Sequence, residues 1–367
     1  MALADAFFGL RDRLIASPGF QRFAAAFPLT RPMARREASA LFDLVAGFVY
    51  SQTLAAAVRL RLFELLRDGP LSLSDIVAAT DLPRDGADRL MKAGVALRLF
   101  ARRGEDRYGL GMLGAAMLGN PGVGAMVEHH ALLYDDLRDP VALLRHGGET
   151  ELSRYWAYAR SKDPSELTRA EVDSYSALMA ASQTLVRDEI LDAYPLSKHR
   201  VLLDLGGGDG AFVTAAAQRN PNLEAMLFDL PAVAERAGER FAREGIAARA
   251  RAFGGDFKAD AAPRGADVVS LIRVLYDHDD ESALRILRTA RAALPPGGTL
   301  LIGEPMADLP GAERVGHAYF GLYLLAMRGG RPRSPADFRP LLREAGFATM
   351  RALPTRRPLL AGVLVAA

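Results

Sequence analysis

The rhythm of apolar residues changes near residue 200. From Ala46 to Leu66 apolar positions recur every three or four residues, the period of a helix with one buried face. LSLSDIVAAT then offers Ser72 or Ser74 as a cap for a short helix ending near Thr80. Pro83 opens a second helix through Leu99, and RRGEDRY reads as a hairpin tip. Helix, helix and hairpin in that order predict a winged helix. Helical patterning continues through EHHALLYDDL, ELSRYWAYA and EVDSYSALMAASQTLVRDEILDAY, the last a linker helix. Beyond Arg200 short apolar runs alternate with amphipathic helices. VLLDL, AMLFDL, RARAFGGDF, VVSLIRVL and TLLIGEP read as strands, and the apolar tail RPLLAGVLVAA adds another. Strand–helix alternation predicts an α/β domain with a parallel, doubly wound sheet. The domain boundary falls at 165/166, with a helical, winged-helix-like part before it and the sheet after it.

Composition narrows the functions. A chain of 367 residues suggests about two domains. Half the residues are apolar and the net charge is +2, without the basic excess that nucleic-acid binding uses. The second helix of the winged unit, DGADRLMKAGVALRL, carries few positive charges, so dimerisation is expected of that unit rather than DNA binding. With no cysteine, disulfides and thiolate metal sites are excluded, no metal is expected, and a reducing, cytoplasmic setting fits. Asp5 within the first apolar stretch and the lack of a small-residue cleavage pattern argue against a secretory leader. LFDLVAGFVYSQTLAAAV contains Asp43, Ser51, Gln52 and Thr53, which predicts a buried helix rather than a membrane span. The first thirty residues, with FF, FQRFAAAF and several arginines, read as an amphipathic arm for a partner subunit or a membrane surface.

The candidate chemistry begins at DLGGGDGAF. A strand, a glycine run and a helix bring backbone N–H groups close to a ligand. Gly206, Gly208 and Ala211 satisfy a dinucleotide pattern, and the same stretch satisfies D-x-G-x-G-x-G from Asp204 to Gly210. Asp229 ends the second strand, twenty-three residues after Gly206, where an acid can accept both hydroxyls of a ribose. GGDF sets Asp256 and Phe257 after the third strand, suited to an adenine amine and ring face.

DLGGGDG, FDLP, GGDF, a strand ending in a basic residue before an acidic turn, and LPPGG together resemble the class I S-adenosylmethionine-dependent O-methyltransferases. The likeness is to those with an N-terminal helical dimerisation domain, and it covers almost the whole chain. It implies a Rossmann-like domain with a mostly parallel seven-stranded sheet, S-adenosylmethionine as cofactor and a homodimer. It places Gly206 and Gly208 beside the methionine part of the cofactor, Asp229 on the ribose, and Leu230, Asp256 and Phe257 around the adenine. Arg273 stands where the family has a basic residue near the cofactor.

The acidic turn departs from that family. There the turn reads His-Asp-Trp-x-Asp, and its histidine takes the substrate proton. Here it reads Tyr276-Asp277-His278-Asp279-Asp280, so Tyr276 holds the base position and His278 the tryptophan position. The carboxylate after the fifth strand is kept as Glu304, whereas Pro332 stands where a second one is expected. His317, opening HAYFGLYLLAM, is a third candidate base, and Asp279 and Asp280 read as helix caps. Within the family, SPGFQRFAAAFPLTRP, LFDLVAGFVYSQ, EHHALLYDDLRDPVALLR, SYSALMAASQ and RVLYDHDD are similar to the bacterial carotenoid O-methyltransferases, which methylate a tertiary hydroxyl of hydroxyneurosporene or demethylspheroidene type. A tertiary alcohol is too weak an acid to be ionised by histidine beforehand, which suits the loss of the usual base. Bacteriochlorophyllide C-methyltransfer, methylation of a small phenol, and a cofactor-binding regulator without catalysis remain open alternatives. The expected acceptor is a lipophilic small molecule.

Overall fold

The computed structural model describes residues 2–156 and 186–367. The stretch SYSALMAASQ and the 165/166 boundary lie outside the described residues. Two compact units emerge, 1–118 and 119–367. The helices Pro121–Asp136, Pro140–His146 and Glu151–Tyr155 therefore belong to the unit that carries the sheet, not to the winged helix with which the sequence grouped them. They pack through Leu133, Leu143 and Leu152 into one apolar cluster with Tyr276, Tyr323 and Met327.

In the first unit, strands β1 (Leu71–Ser72), β2 (Phe100–Arg102) and β3 (Arg107–Leu110) form a small antiparallel sheet in the order β1-β3-β2. Ser72 caps the helix Leu73–Thr80 reciprocally with Asp75, and Pro83 immediately precedes the next, Arg84–Ala96. Those helices bury Leu73, Ile76, Ala87 and Met91 against Phe63 and Phe100, completing the expected winged helix. The second helix stops at Ala96, three residues short of expectation, where the chain turns into β2.

One expectation fails here. LFDLVAGFVYSQTLAAAV lies in the helix Arg31–Arg59, whose only buried residues are Ala55 and Ala57. Leu41, Phe42, Leu44, Val45, Phe48 and Val49 are all exposed. By length and composition alone this helix is apolar enough to cross a membrane. The few polar residues that argued for burial do not interrupt its apolar face, which one chain leaves uncovered.

In the second unit, β4 (Val201–Leu205), β5 (Glu224–Asp229), β6 (Ala250–Gly254), β7 (Val268–Ile272), β8 (Thr299–Glu304), β9 (Met350–Leu353) and β10 (Gly362–Ala366) form one sheet. Its order is β6-β5-β4-β7-β8-β10-β9. The first five are parallel, and β10 runs antiparallel to both β8 and β9. On one face Phe212, Ala216, Ala237 and Phe241 pack from the helices Ala211–Arg219 and Pro231–Arg243. On the other, Ala283, Ile286, Leu287 and Ala290 of the helix Asp280–Ala293 recur at helical spacing, beside Phe338 and Leu342. Strand order reverses between β4 and β7, and ligands of such sheets bind at the carboxyl ends there. The glycine loop leaves β4 at that edge, and the acidic turn leaves β7.

Candidate active site

After β4 the chain turns through Gly206 (φ 70°) and Gly208 (φ 60°), a left-handed conformation that costs side chains other than glycine free energy. Nothing lies within 4 Å of a Cβ built on Gly208, so this side of the loop is open for a ligand. The Gly208 N–H donates to Asp229 Oδ2 at 2.8 Å, and the Leu230 N–H to Oδ1 at 2.7 Å. Each carboxylate oxygen keeps a further lone pair, which a ribose diol can use. Burial pushes the Asp229 carboxyl up to about 6, against the pull of the two N–H groups. Beneath the loop, Asp204 is fully buried, accepts from Ser270 Oγ at 2.5 Å, and is pushed by burial to about 7. Asp256 and Phe257 sit half-buried beyond β6, and Leu230 half-buried after β5. A buried acid with lone pairs to spare, an aromatic ring and an open glycine loop at one sheet edge fit an adenosine-bearing cofactor.

The acidic turn is suspended by its backbone. Glu304, fully buried at the end of β8, accepts from the Leu275 N–H at 3.0 Å and the Tyr276 N–H at 3.2 Å. Arg333, also fully buried, donates to the Leu275 carbonyl at 2.6 Å, the His278 carbonyl at 2.8 Å and Asp280 Oδ1 at 2.7 Å. Gly330 (φ 69°) passes so near that a Cβ there would fall 1.9 Å from the Tyr276 carbonyl. Burial pushes the Glu304 carboxyl up to about 8, with Arg333 opposing. Glu304 thus grips the turn from below. Arg333, one residue past the Pro332 that replaces the expected second carboxylate, was not singled out from the sequence. One of three arginines interspersed with glycines and a proline reads as surface.

Within the turn the two ring side chains part company. His278 packs edge-on against Phe257, with ring centroids 6.0 Å apart, and burial pushes its imidazole down to about 4. Tyr276 packs edge-on against Phe320 at 5.5 Å. Burial raises its phenol far above the ordinary range, helped by Asp277 and opposed by the hydrogen-bonded Arg273 guanidinium. Arg273 itself takes a left-handed φ of 58° and donates its N–H to the Gly303 carbonyl at 2.8 Å. A phenol so buried stays neutral at physiological pH and hydrogen-bonds rather than acting as a phenolate base. Asp279 caps the helix Asp280–Ala293 through the Ser282 N–H at 2.8 Å, as expected.

His317 does not join this group. Its side chain is 62% exposed and faces Asp308 at 3.3 Å, so the structure withdraws it as a candidate base. The residues beside it do converge. Tyr319, Phe320 and Tyr323 form an aromatic ladder that meets the helix Pro121–Asp136. His129 Nε2 lies 2.9 Å from the Tyr323 hydroxyl and His130 Nε2 2.6 Å from the Tyr319 hydroxyl. The two partners are separated by nearly two hundred residues, which hid the pairing from the sequence.

Residues 134–348 match the O-methyltransferase domain, and residues 42–120 match the O-methyltransferase dimerisation domain. The chain belongs to the O-methyltransferase family. The enzyme is S-adenosylmethionine-dependent, as the resemblance implied. It is 43% identical to the demethylspheroidene O-methyltransferase of Cereibacter sphaeroides, over 96% of this chain and 93% of that one. The protein of the same name from Rhodobacter capsulatus is 40% identical over 96% of this chain and 88% of its own length. Human N-acetylserotonin methyltransferase in complex with S-adenosylmethionine superposes with a TM-score of 0.73 at 25% identity, covering 90% of this chain and 97% of that one. The dimerisation match begins at residue 42, on the helix whose apolar face is exposed, which supports a homodimer.

Proposed function

We propose that the enzyme methylates the tertiary hydroxyl of a carotenoid intermediate, of the hydroxyneurosporene or demethylspheroidene type. The observation that carries this reading is the near full-length identity with two demethylspheroidene O-methyltransferases. Two features support it. The turn lacks the histidine that phenol methylation uses, and the cluster beside it is apolar and aromatic, with Tyr276, Tyr323, Leu324 and Met327 buried in it.

Bound S-adenosylmethionine supplies an electrophilic methyl group. The protein's part is then to hold the acceptor in line and keep water away. In this reading Asp229 takes the ribose hydroxyls, Gly206 and Gly208 lie along the methionine part, and Leu230, Asp256 and Phe257 enclose the adenine. His278 backs Phe257 on the cofactor side. Arg273 and Tyr276 orient the acceptor oxygen, and Glu304 with Arg333 fixes the turn. Incubating the enzyme with labelled S-adenosylmethionine and a mixture of carotenoid, chlorin and small phenolic acceptors tests the assignment. The label is expected in a carotenoid methyl ether, and label only in a chlorin or a phenol refutes it.

The same reading extends to the membrane. Residues 11 to 36 carry six arginines against one aspartate, and Phe7, Phe8, Leu10, Leu14 and Ile15 are exposed on the first helix. Such a basic, apolar arm suits the surface of an anionic bilayer on the cytoplasmic side, where a carotenoid dissolves. Sedimentation with anionic but not zwitterionic vesicles is the expected result. Equal recovery with neither would count against membrane contact.

A further inference from the structure

We propose that the His130–Tyr319 pair replaces the missing turn histidine as the proton acceptor of methyl transfer, with Tyr319 meeting the acceptor hydroxyl and His130 holding the proton. The inference rests on transfer to an alcohol oxygen. Three observations carry it.

The first is position. Tyr319 stacks edge-on against Phe320 at 4.8 Å, and Phe320 against Tyr276 at 5.5 Å. Arg273, hydrogen-bonded to Tyr276, also acts electrostatically on Tyr319. The pair therefore borders the turn whose base is absent.

The second is the contrast with its neighbour. His129 and Tyr323 are both buried, and the Tyr323 hydroxyl is held by His129 Nε2 at 2.9 Å. That pair is locked into the core. His130 and Tyr319 are only half-buried, and the Tyr319 hydroxyl has His130 as its one hydrogen-bond partner among the described residues. Its remaining lone pair is available to an incoming hydroxyl.

The third is charge. Burial holds His130 below the ordinary imidazole range, and no carboxylate opposes this shift. The titratable and charged groups facing the pair are His129 on its own helix, Tyr323 on the ladder, and Arg273 with Tyr276 from the turn. None stabilises an imidazolium before reaction, so His130 is neutral and able to accept. Burial likewise keeps Tyr319 a neutral phenol.

The step balances without another reagent. The acceptor oxygen bonds the methyl carbon as the carbon–sulfur bond breaks, with its electron pair going to sulfur. The hydroxyl proton passes to Tyr319 Oη while the proton of Tyr319 passes to His130 Nε2. An ether, a neutral thioether and an imidazolium result, and the imidazolium returns its proton to solvent.

His130→Gln and Tyr319→Phe test the pair, with S-adenosylmethionine affinity as the check on folding. General base catalysis contributes about 10²-fold or more, so turnover is expected to fall by about that factor in either variant, and no further in the double variant. Wild-type turnover should rise with pH through a limb below the usual imidazole range, and that limb should vanish in His130→Gln. The comparison uses whichever acceptor the wild type methylates. A wrong carotenoid assignment then appears as wild-type failure on that compound, while the variant ratio still reports on the pair. Nitrogen-15 shifts of His130 give a readout without turnover. An unprotonated Nε2 at neutral pH is expected, and a protonated Nε2 donating to Tyr319 overturns the proposal, as does an unchanged pH limb.

Discussion

The two halves of the site share one sheet edge but are built by different means. On the cofactor side, backbone conformation makes the pocket: positive-φ glycines open it, and Asp229 ties Gly208 to Leu230 across neighbouring loops. On the acceptor side, side chains hold up the backbone. Glu304 and Arg333 grip the turn from β8 and from the segment after the aromatic ladder, and the proposed working surface comes from Tyr276, Tyr319 and His130 on three separate elements. Cofactor binding thus depends on a contiguous, local design. Acceptor handling depends on a distributed one, free to change while the first stays fixed.

That contrast is open to attack at its strongest point first. Asp229→Ala should weaken S-adenosylmethionine binding by about two to three orders of magnitude, since two hydrogen bonds to a charged group are lost at about 1.5 kcal/mol or more each. The wild-type affinity should itself fall as pH drops below about 6, because protonated Asp229 accepts less well. Retained micromolar affinity in the variant, by calorimetry, would remove Asp229 from the cofactor site.

Arg333→Met should act on the acceptor side alone. It leaves the buried Leu275 carbonyl, at a cost of about 1–3 kcal/mol, and the part-buried His278 carbonyl without their donor. A lower unfolding midpoint with turnover reduced more than cofactor affinity is the expected pattern, and equal loss of both would merge the two halves.

Tyr276→Phe is the smaller test. Turnover should drop roughly tenfold, the worth of about one hydrogen bond, with cofactor affinity unchanged. His317→Ala, made in parallel, should change neither quantity, and a loss of turnover there would restore the exposed histidine to the site.

The same contrast explains what could be read in advance. Strand–helix alternation, the glycine loop and Asp229 lie in continuous sequence, because local backbone geometry dictates residue type. The winged helix was legible from its caps and hairpin. The Arg31–Arg59 helix was not, since an apolar face reads alike whether its own chain or another covers it. Strand β9 escaped notice as four residues of edge strand, two of them exposed. Arg333 and the His–Tyr pairs escaped for a different reason. Their identity depends on partners dozens to nearly two hundred residues away.

The turn's suspension has a consequence for how such an enzyme can evolve. Leu275, Tyr276 and His278 are held through N–H and carbonyl groups, of which proline lacks only the N–H. Mutation at 276 therefore alters the group offered to the proposed acceptor without removing the bonds that hold the backbone of the turn. New acceptor chemistries lie one codon change away from a loop that keeps its shape.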